Sequence, residues 1–188
     1  MKTIYLTSAA MALFMTMSAA APASAAASAT ANVNATMTVV IPATIAANTG
    51  INFGQVSAPT TGTGTVTVAP SGTATYASGS VRVPGGDATT AANLTLTAVT
   101  GRAVSLLLSA LSMSMTSADV GAPPNIVVDT FVFDDGVSST LTPSSSAITT
   151  TIGAGNASTI KVGATAHVPA AALGIYTAAP ITLTISFN

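Results

Sequence analysis

The sequence predicts an all-β fold, a sandwich or a barrel. Three observations carry that prediction. Past residue 25 the helix formers are scarce: Glu is absent and Lys occurs once, at Lys161, while Val, Ile and Thr abound. Apolar and polar residues alternate in short runs, the period of a strand with one buried face. Gly, Pro and Asn recur between those runs, where turns need them.

The first element is not part of the fold. Lys2 supplies a positive start, Ile4 to Met17 is mostly apolar, and small residues lead to Ala23-Ser24-Ala25. That anatomy predicts a secretory signal peptide over residues 1–25, cleaved after Ala25. The apolar run is shorter than the ~20 residues a membrane-spanning helix needs, and no later stretch is long and apolar enough to span. Residues 26–188 are expected to form a single domain.

Thr30 to Ile41 sets Val33, Ala35, Met37 and Val39 against Asn32, Asn34, Thr36 and Thr38, and Pro42 ends the run. Ile51 to Val56 reads as a short strand carrying Phe53. Gly64–Val68 and Gly72–Tyr76 read as a hairpin across Pro70-Ser71. Ser80–Val83 is a short piece closed by the turn signal Pro84-Gly85-Gly86-Asp87. Asn93–Val99 alternates through Leu94, Leu96 and Ala98. Val104–Leu108 is apolar apart from Ser105 and suits a strand that is buried on both faces or bent. Ile126–Phe133 is a strand that ends in the turn-like Asp134-Asp135-Gly136. Ile148–Ile152, Ser158–Val162 and Ala164–Val168 follow, and Ile181–Phe187 closes the series. Thr60–Gly64 and Thr142–Ser146 are loop-like, and Thr116–Asp119 and Pro169–Leu173 suit one helical turn each.

Composition narrows the function. After residue 25 only Arg82, Arg102 and Lys161 stand against Asp87, Asp119, Asp129, Asp134 and Asp135. With no basic patch, neither nucleic acid nor acidic lipid is an expected partner. A surface this poor in charge, against the quarter to a third usual for soluble domains, suits a protein that packs against copies of itself or works outside the cell. Cysteine is absent, which excludes disulfide staples and thiolate metal sites.

Catalysis needs acids, bases, nucleophiles or metal ligands gathered together, and the inventory is thin. His167 is the one histidine, inside an alternating run, and reads as a strand residue. Asp134-Asp135-Gly136 falls short of the six to eight oxygens calcium takes and reads as hairpin chemistry. Asn34-Ala35-Thr36, Asn93-Leu94-Thr95 and Asn156-Ala157-Ser158 match the glycosylation pattern, a weak signal in so Asn- and Thr-rich a chain. No enzyme, cofactor or metal is expected.

What remains is architecture. Two clean alternating runs, 30–41 and 181–187, lie at opposite ends of the domain, and neither holds a charged gatekeeper. Native proteins hide such edges. The two strands complete the sheets of their own subunit, or the first run of one subunit completes the sheet of another by strand addition. A head-to-tail contact of the second kind does not close and builds a filament.

The segment ANVNATMTVVIPATIAANTGINFGQV, with Ile51-Asn52-Phe53-Gly54 at its end, resembles the start of secreted bacterial fimbrial and spore-coat-U-type subunits. Gly174-Ile175-Tyr176, the alternating last strand and Phe187 resemble the end of chaperone–usher pilus subunits. Ala92–Thr97 and Lys161–Thr165 look closer to an uncharacterised secreted family that shares those end motifs. The missing cysteine departs from the disulfide many such subunits carry near the first strand. The resemblance implies an Ig-like (pilin-like) β-sandwich, exported through the inner membrane to the periplasm and then to the cell surface. It implies a structural, fimbrial-type subunit that partners other copies of itself or related subunits, a periplasmic chaperone and an outer-membrane usher. In that reading Val33, Ala35, Met37 and Val39 are donor-strand side chains. Ile181, Leu183, Ile185 and Phe187 form the edge of the receiving groove, where a chaperone would hold Phe187 and the terminal carboxylate. The alternative is a self-complete, adhesin-like binding module whose loops meet a glycan or a surface; it has no Trp and few other aromatics with which to stack on sugar.

Overall fold

Most of the alternating runs become strands, and the strands pack as two main sheets. A computed structural model describes residues 36, 37, 39, 41–119, 121, 123–137 and 147–187. Among them there is no helix. The strands are β1 (Thr44–Thr49), β2 (Val56–Ser57), β3 (Thr63–Val68), β4 (Ala74–Ala77), β5 (Val81–Arg82), β6 (Ala92–Thr97), β7 (Ala103–Leu108), β8 (Met113–Ser117), β9 (Ile126–Asp134), β10 (Ala147–Thr151), β11 (Ala157–Pro169), β12 (Tyr176–Ala178) and β13 (Leu183–Phe187).

The larger sheet runs β1-β6-β11-β9-β8-β12, with the β3–β4 hairpin joined to it through β11. The smaller sheet is β10-β7-β13, and β2 pairs with β5 as a separate ribbon. All the pairings are antiparallel. Alternation decides the packing. In β6, Ala92, Leu94 and Leu96 point inward; in β7, Val104, Leu106 and Leu108 do so from the other sheet. Phe133, Ile160 and Val128 fill the space between. The result is a β-sandwich around one core. Each large aliphatic side chain taken from water here contributes about 1.5–3 kcal/mol.

β11 organises the larger sheet. Along one edge it pairs first with β6, from Ala157 to Val162, and then with β3, from Ala164 to Pro169. Gly163 sits at the changeover, and a side chain there would strike the Val68 carbonyl oxygen where β3 ends. The two runs expected as separate strands, Ser158–Val162 and Ala164–Val168, are therefore one strand. Along its other edge β11 pairs with β9, with a bulge where the register steps from Thr165–Asp129 to Gly163–Val132. Thr130 lies in that bulge with a φ of 52°.

Several expectations need correction. The described residues of the run expected as the strand Thr30–Ile41, namely Thr36, Met37, Val39 and Ile41, lie outside any strand. The first strand is instead β1, in a stretch whose sequence, TIAANT, does not alternate; pairing with β6 imposes its form. Ile51–Val56 is interrupted: Asn52 makes one isolated bridge to Thr90, and only Val56 and Ser57 form a strand. Thr116 and Ser117 end strand β8 instead of starting a helical turn. Pro169 ends β11, and the chain then turns back with Ala172 N donating to Pro169 O rather than coiling. Strand β3 reaches back into the expected loop Thr60–Gly64. Residues 1–25 and 142–146 lie outside the described residues.

Candidate functional site

The core does not close along one side. The last strand reaches it by crossing between the sheets. β12 pairs with β8 in the larger sheet, Tyr176 opposite Ser117, and β13 pairs with β7 in the smaller one, Leu183 opposite Leu108. Between them the chain is pinned where Ser109 N donates to Thr182 O and Thr182 N donates to Ser109 Oγ. Among the described residues β13 pairs with β7 alone, β1 with β6 alone and β12 with β8 alone. Each of these three strands thus has an unpaired edge, as β4 and β10 have elsewhere, and β1 and β13 lie beside each other.

A hollow of about 640 Å³ lies where those edges meet. Ile45 and Ala47 of β1 form one wall, and Tyr176 to Leu183 form the other. Leu94, Phe131, Phe133 and Val162 make the floor, with Met113 and Met115 towards one end. None of the residues that line it is charged. Such a groove offers two things to a ligand: apolar surface at its base, and rows of backbone N–H and C=O groups at its rims.

Two motifs singled out in the sequence hold one end of this groove. In Ile51-Asn52-Phe53-Gly54, the Asn52 side chain accepts a hydrogen bond from Gly54 N at 2.8 Å. The chain turns there, and Phe53 enters the groove lining. In Gly174-Ile175-Tyr176, Asp119 Oδ2 accepts from Ile175 N at 3.1 Å. A side chain at Gly174 would have to displace the Asp119 carboxylate, and the φ of 104° at that residue suits glycine. Tyr176 Oη donates to Pro124 O at 3.1 Å and accepts from Leu173 N at 3.2 Å, which fixes its ring beside the groove.

The expected site residues divide. Ile181 and Leu183 are half-buried and line the groove. Ile185 is half-buried against the core, and Phe187, 39% exposed, lies opposite Val104 further along β13. Neither lines the hollow, whose wall on this side runs from Tyr176 to Leu183. Val33 and Ala35 lie outside the described residues. Met37 and Val39 are exposed, at 86% and 78%, and Ile41 at 43%. The β1 wall and the two methionines were not foreseen. The alternation of Met113 and Met115 in MSMTS was visible; β1 carries no such signal.

The groups considered for chemistry do not converge. His167 Nε2 lies 3.0 Å from Asp129 Oδ1 on the neighbouring strand. Asp134 and Asp135 each accept a backbone N–H of their own turn, and Asp135 also accepts from Thr150 Oγ1. Asn93 lies within β6, and Asn156 accepts from Thr100 N at a turn. A second hollow of about 620 Å³ lies between residues 51–58 and 172–176 and is more polar than the first.

None of the curated proteins and none of the solved structures compared with the chain matches it. One family does. Residues 43–187, from just before β1 to the end of β13, match the family described as Domain of unknown function (DUF4402). The match spans both walls of the groove and leaves out the run that precedes them, and on its extent the chain belongs to the DUF4402 family.

Proposed function

We propose that this protein is a secreted structural subunit, of fimbrial type, that assembles by β-strand complementation. The observation that carries the reading is the uncharged groove bordered by the unpaired edges of β1, β12 and β13. A strand laid along the open edge of β1 would bond to that rim through its main chain and send alternate side chains to the floor. The run that precedes β1 has the required pattern in Val33, Ala35, Met37 and Val39, and Met37 and Val39 are exposed. Burying those two supplies about 3–6 kcal/mol, against an association cost of about 4–15 kcal/mol. Val33, Ala35 and the main-chain bonds are therefore needed as well, which accounts for a run of this length.

The wider reading includes an Ig-like, pilin-like sandwich, a signal peptide over residues 1–25, export to the cell surface, and a periplasmic chaperone that covers the groove until a second subunit fills it. No catalytic step, cofactor or metal is part of it. A strand is favoured over a small apolar ligand because main-chain edges flank the hollow, and only an extended chain can satisfy them.

Deleting residues 26–40 tests the proposal. The shortened chain is expected to keep its strands by far-ultraviolet circular dichroism and to lose self-association in sizing with light scattering. A shortened chain that assembles as the parent does rules the reading out.

A further inference from the structure

The groove and the run that fits it belong to one chain, so the occupant is either the subunit's own arm or the arm of a second copy. Resting on the strand-complementation reading, we infer that the link Ile41-Pro42-Ala43-Thr44 bars a subunit from filling its own groove, and that the occupant is the arm of a second copy.

The direction of the side chains comes first. Ile45 and Ala47 of β1 line the groove, opposite the inward-facing Leu96 and Leu94. Residues directly opposite in an antiparallel pair point to the same side. Folding the arm back through a two-residue loop, Pro42-Ala43, sets Val40 opposite Ile45 and Thr38 opposite Ala47. The faces are then exchanged, as in any one-residue slip: Met37, Val39 and Ile41 point to solvent. Turn chemistry blocks the same route. Two-residue hairpins use turns with positive φ at the first loop position, and the ring of Pro42 holds φ near −65°.

Three-residue loops restore the face. With residues 42–44 as the loop, Ile41 lies opposite Ile45 and Val39 opposite Ala47. Such a loop is a type I turn followed by a left-handed residue. Pro42 suits its first position, but the left-handed position falls on Thr44, which is β-branched and resists it. In the structure Thr44 is extended and pairs with Thr97. With residues 41–43 as the loop, Ala43 takes the left-handed position, and Ile41 must adopt helical dihedrals directly before a proline, which that proline disfavours. Each short route back meets an obstacle at a named residue. The residue before a proline favours extended backbone, which disfavours a turn at Ile41; Val39 and Ile41 are both exposed.

A single substitution should open the face-correct route. Thr44→Gly supplies the left-handed residue and keeps Pro42 in place. The full chain and its variants are refolded from denaturant and sized by light scattering at equal concentration. Thr44→Gly is expected to lower the associated fraction about tenfold or more, since the left-handed penalty is removed. Thr44→Asn, which tolerates that conformation, is expected to shift it the same way by less, and it decides the matter if Thr44→Gly does not fold. Pro42→Asn with Ala43→Gly makes the strongest two-residue hairpin but turns the polar face inward, so association is expected to persist. Thr44 variants that associate as the parent does overturn the inference and leave strand complementation standing. A parent that never associates overturns both.

Discussion

Replacing Gly163 by Ala puts one methyl group at the changeover of β11 from β6 to β3. The added carbon would collide with the Val68 carbonyl oxygen and would lie 2.8 Å from Ala69 C and 2.9 Å from Pro70 N. All three atoms are backbone, so no side chain can swing away. Relief requires the end of β3 to separate from β11, at the pair Ala164–Val68. Overpacking of this kind costs about 1–3 kcal/mol, and a lost ladder hydrogen bond adds about 0.5–1.5 kcal/mol. The expected loss is about 2–4 kcal/mol, a large share of the ~5–15 kcal/mol typical of a domain, and roughly 5–15 °C in Tm at this chain length. Urea unfolding read by linear extrapolation measures it. Gly153→Ala is the control, because its nearest neighbours stand at an ordinary 3.5 Å; it should change stability by less than about 0.5 kcal/mol. A Gly163→Ala protein as stable as the control would mean that the close backbone approach at Gly163 does not constrain β11.

Ala47 is exposed in β1 and lines the groove, so Ala47→Asp should cost the lone subunit less than about 1 kcal/mol. It should cut self-association at least tenfold, because assembly would bury an unpaired carboxylate; sedimentation velocity reads both the fold and the association. Ser80 Oγ is buried without a hydrogen-bond partner, so Ser80→Ala should leave stability unchanged or raise it by up to about 1 kcal/mol, and a clear loss by thermal unfolding counts against that account. Thr130 holds a left-handed φ of 52° in the β9 bulge, a conformation that Asn tolerates better. Thr130→Asn should therefore stabilise the fold by about 0.5–1 kcal/mol, and a destabilised variant would mean that the Thr130 side chain contributes more than its backbone strain costs.

Much of the sandwich was legible because its strands bury one face each. Leu94 and Leu96, Val128, Phe131 and Phe133, and the β3–β4 hairpin announce themselves by period and by turn residues. What escaped was structure imposed by neighbours. β1 has little apolar pattern of its own and exists because β6 offers an edge. Tyr176–Ala178 and Met113–Ser117 are short strands where the chain crosses between sheets, so each reads as the tail of something else. Gly163 looked like a break between two strands, since a glycine in a run is read as punctuation; here it marks close backbone approach. The groove was half legible. The apolar alternation of Ile181 and Leu183 pointed to one wall, while the other wall depends on which strand lies across from it, and periodicity along a chain does not specify that.

In the proposed assembly the groove beside β1 receives the run that precedes β1 in a second copy. The most direct measurement titrates a fluorescent peptide of residues 30–41 into the full chain, following anisotropy for binding and light scattering for assembly. Saturable binding of one peptide per chain is expected, with multimers that shorten as the peptide occupies their grooves, and neither effect from a Met37→Asp, Val39→Asp peptide. A peptide that does not bind, or that binds equally well with those two aspartates, contradicts the proposed assembly.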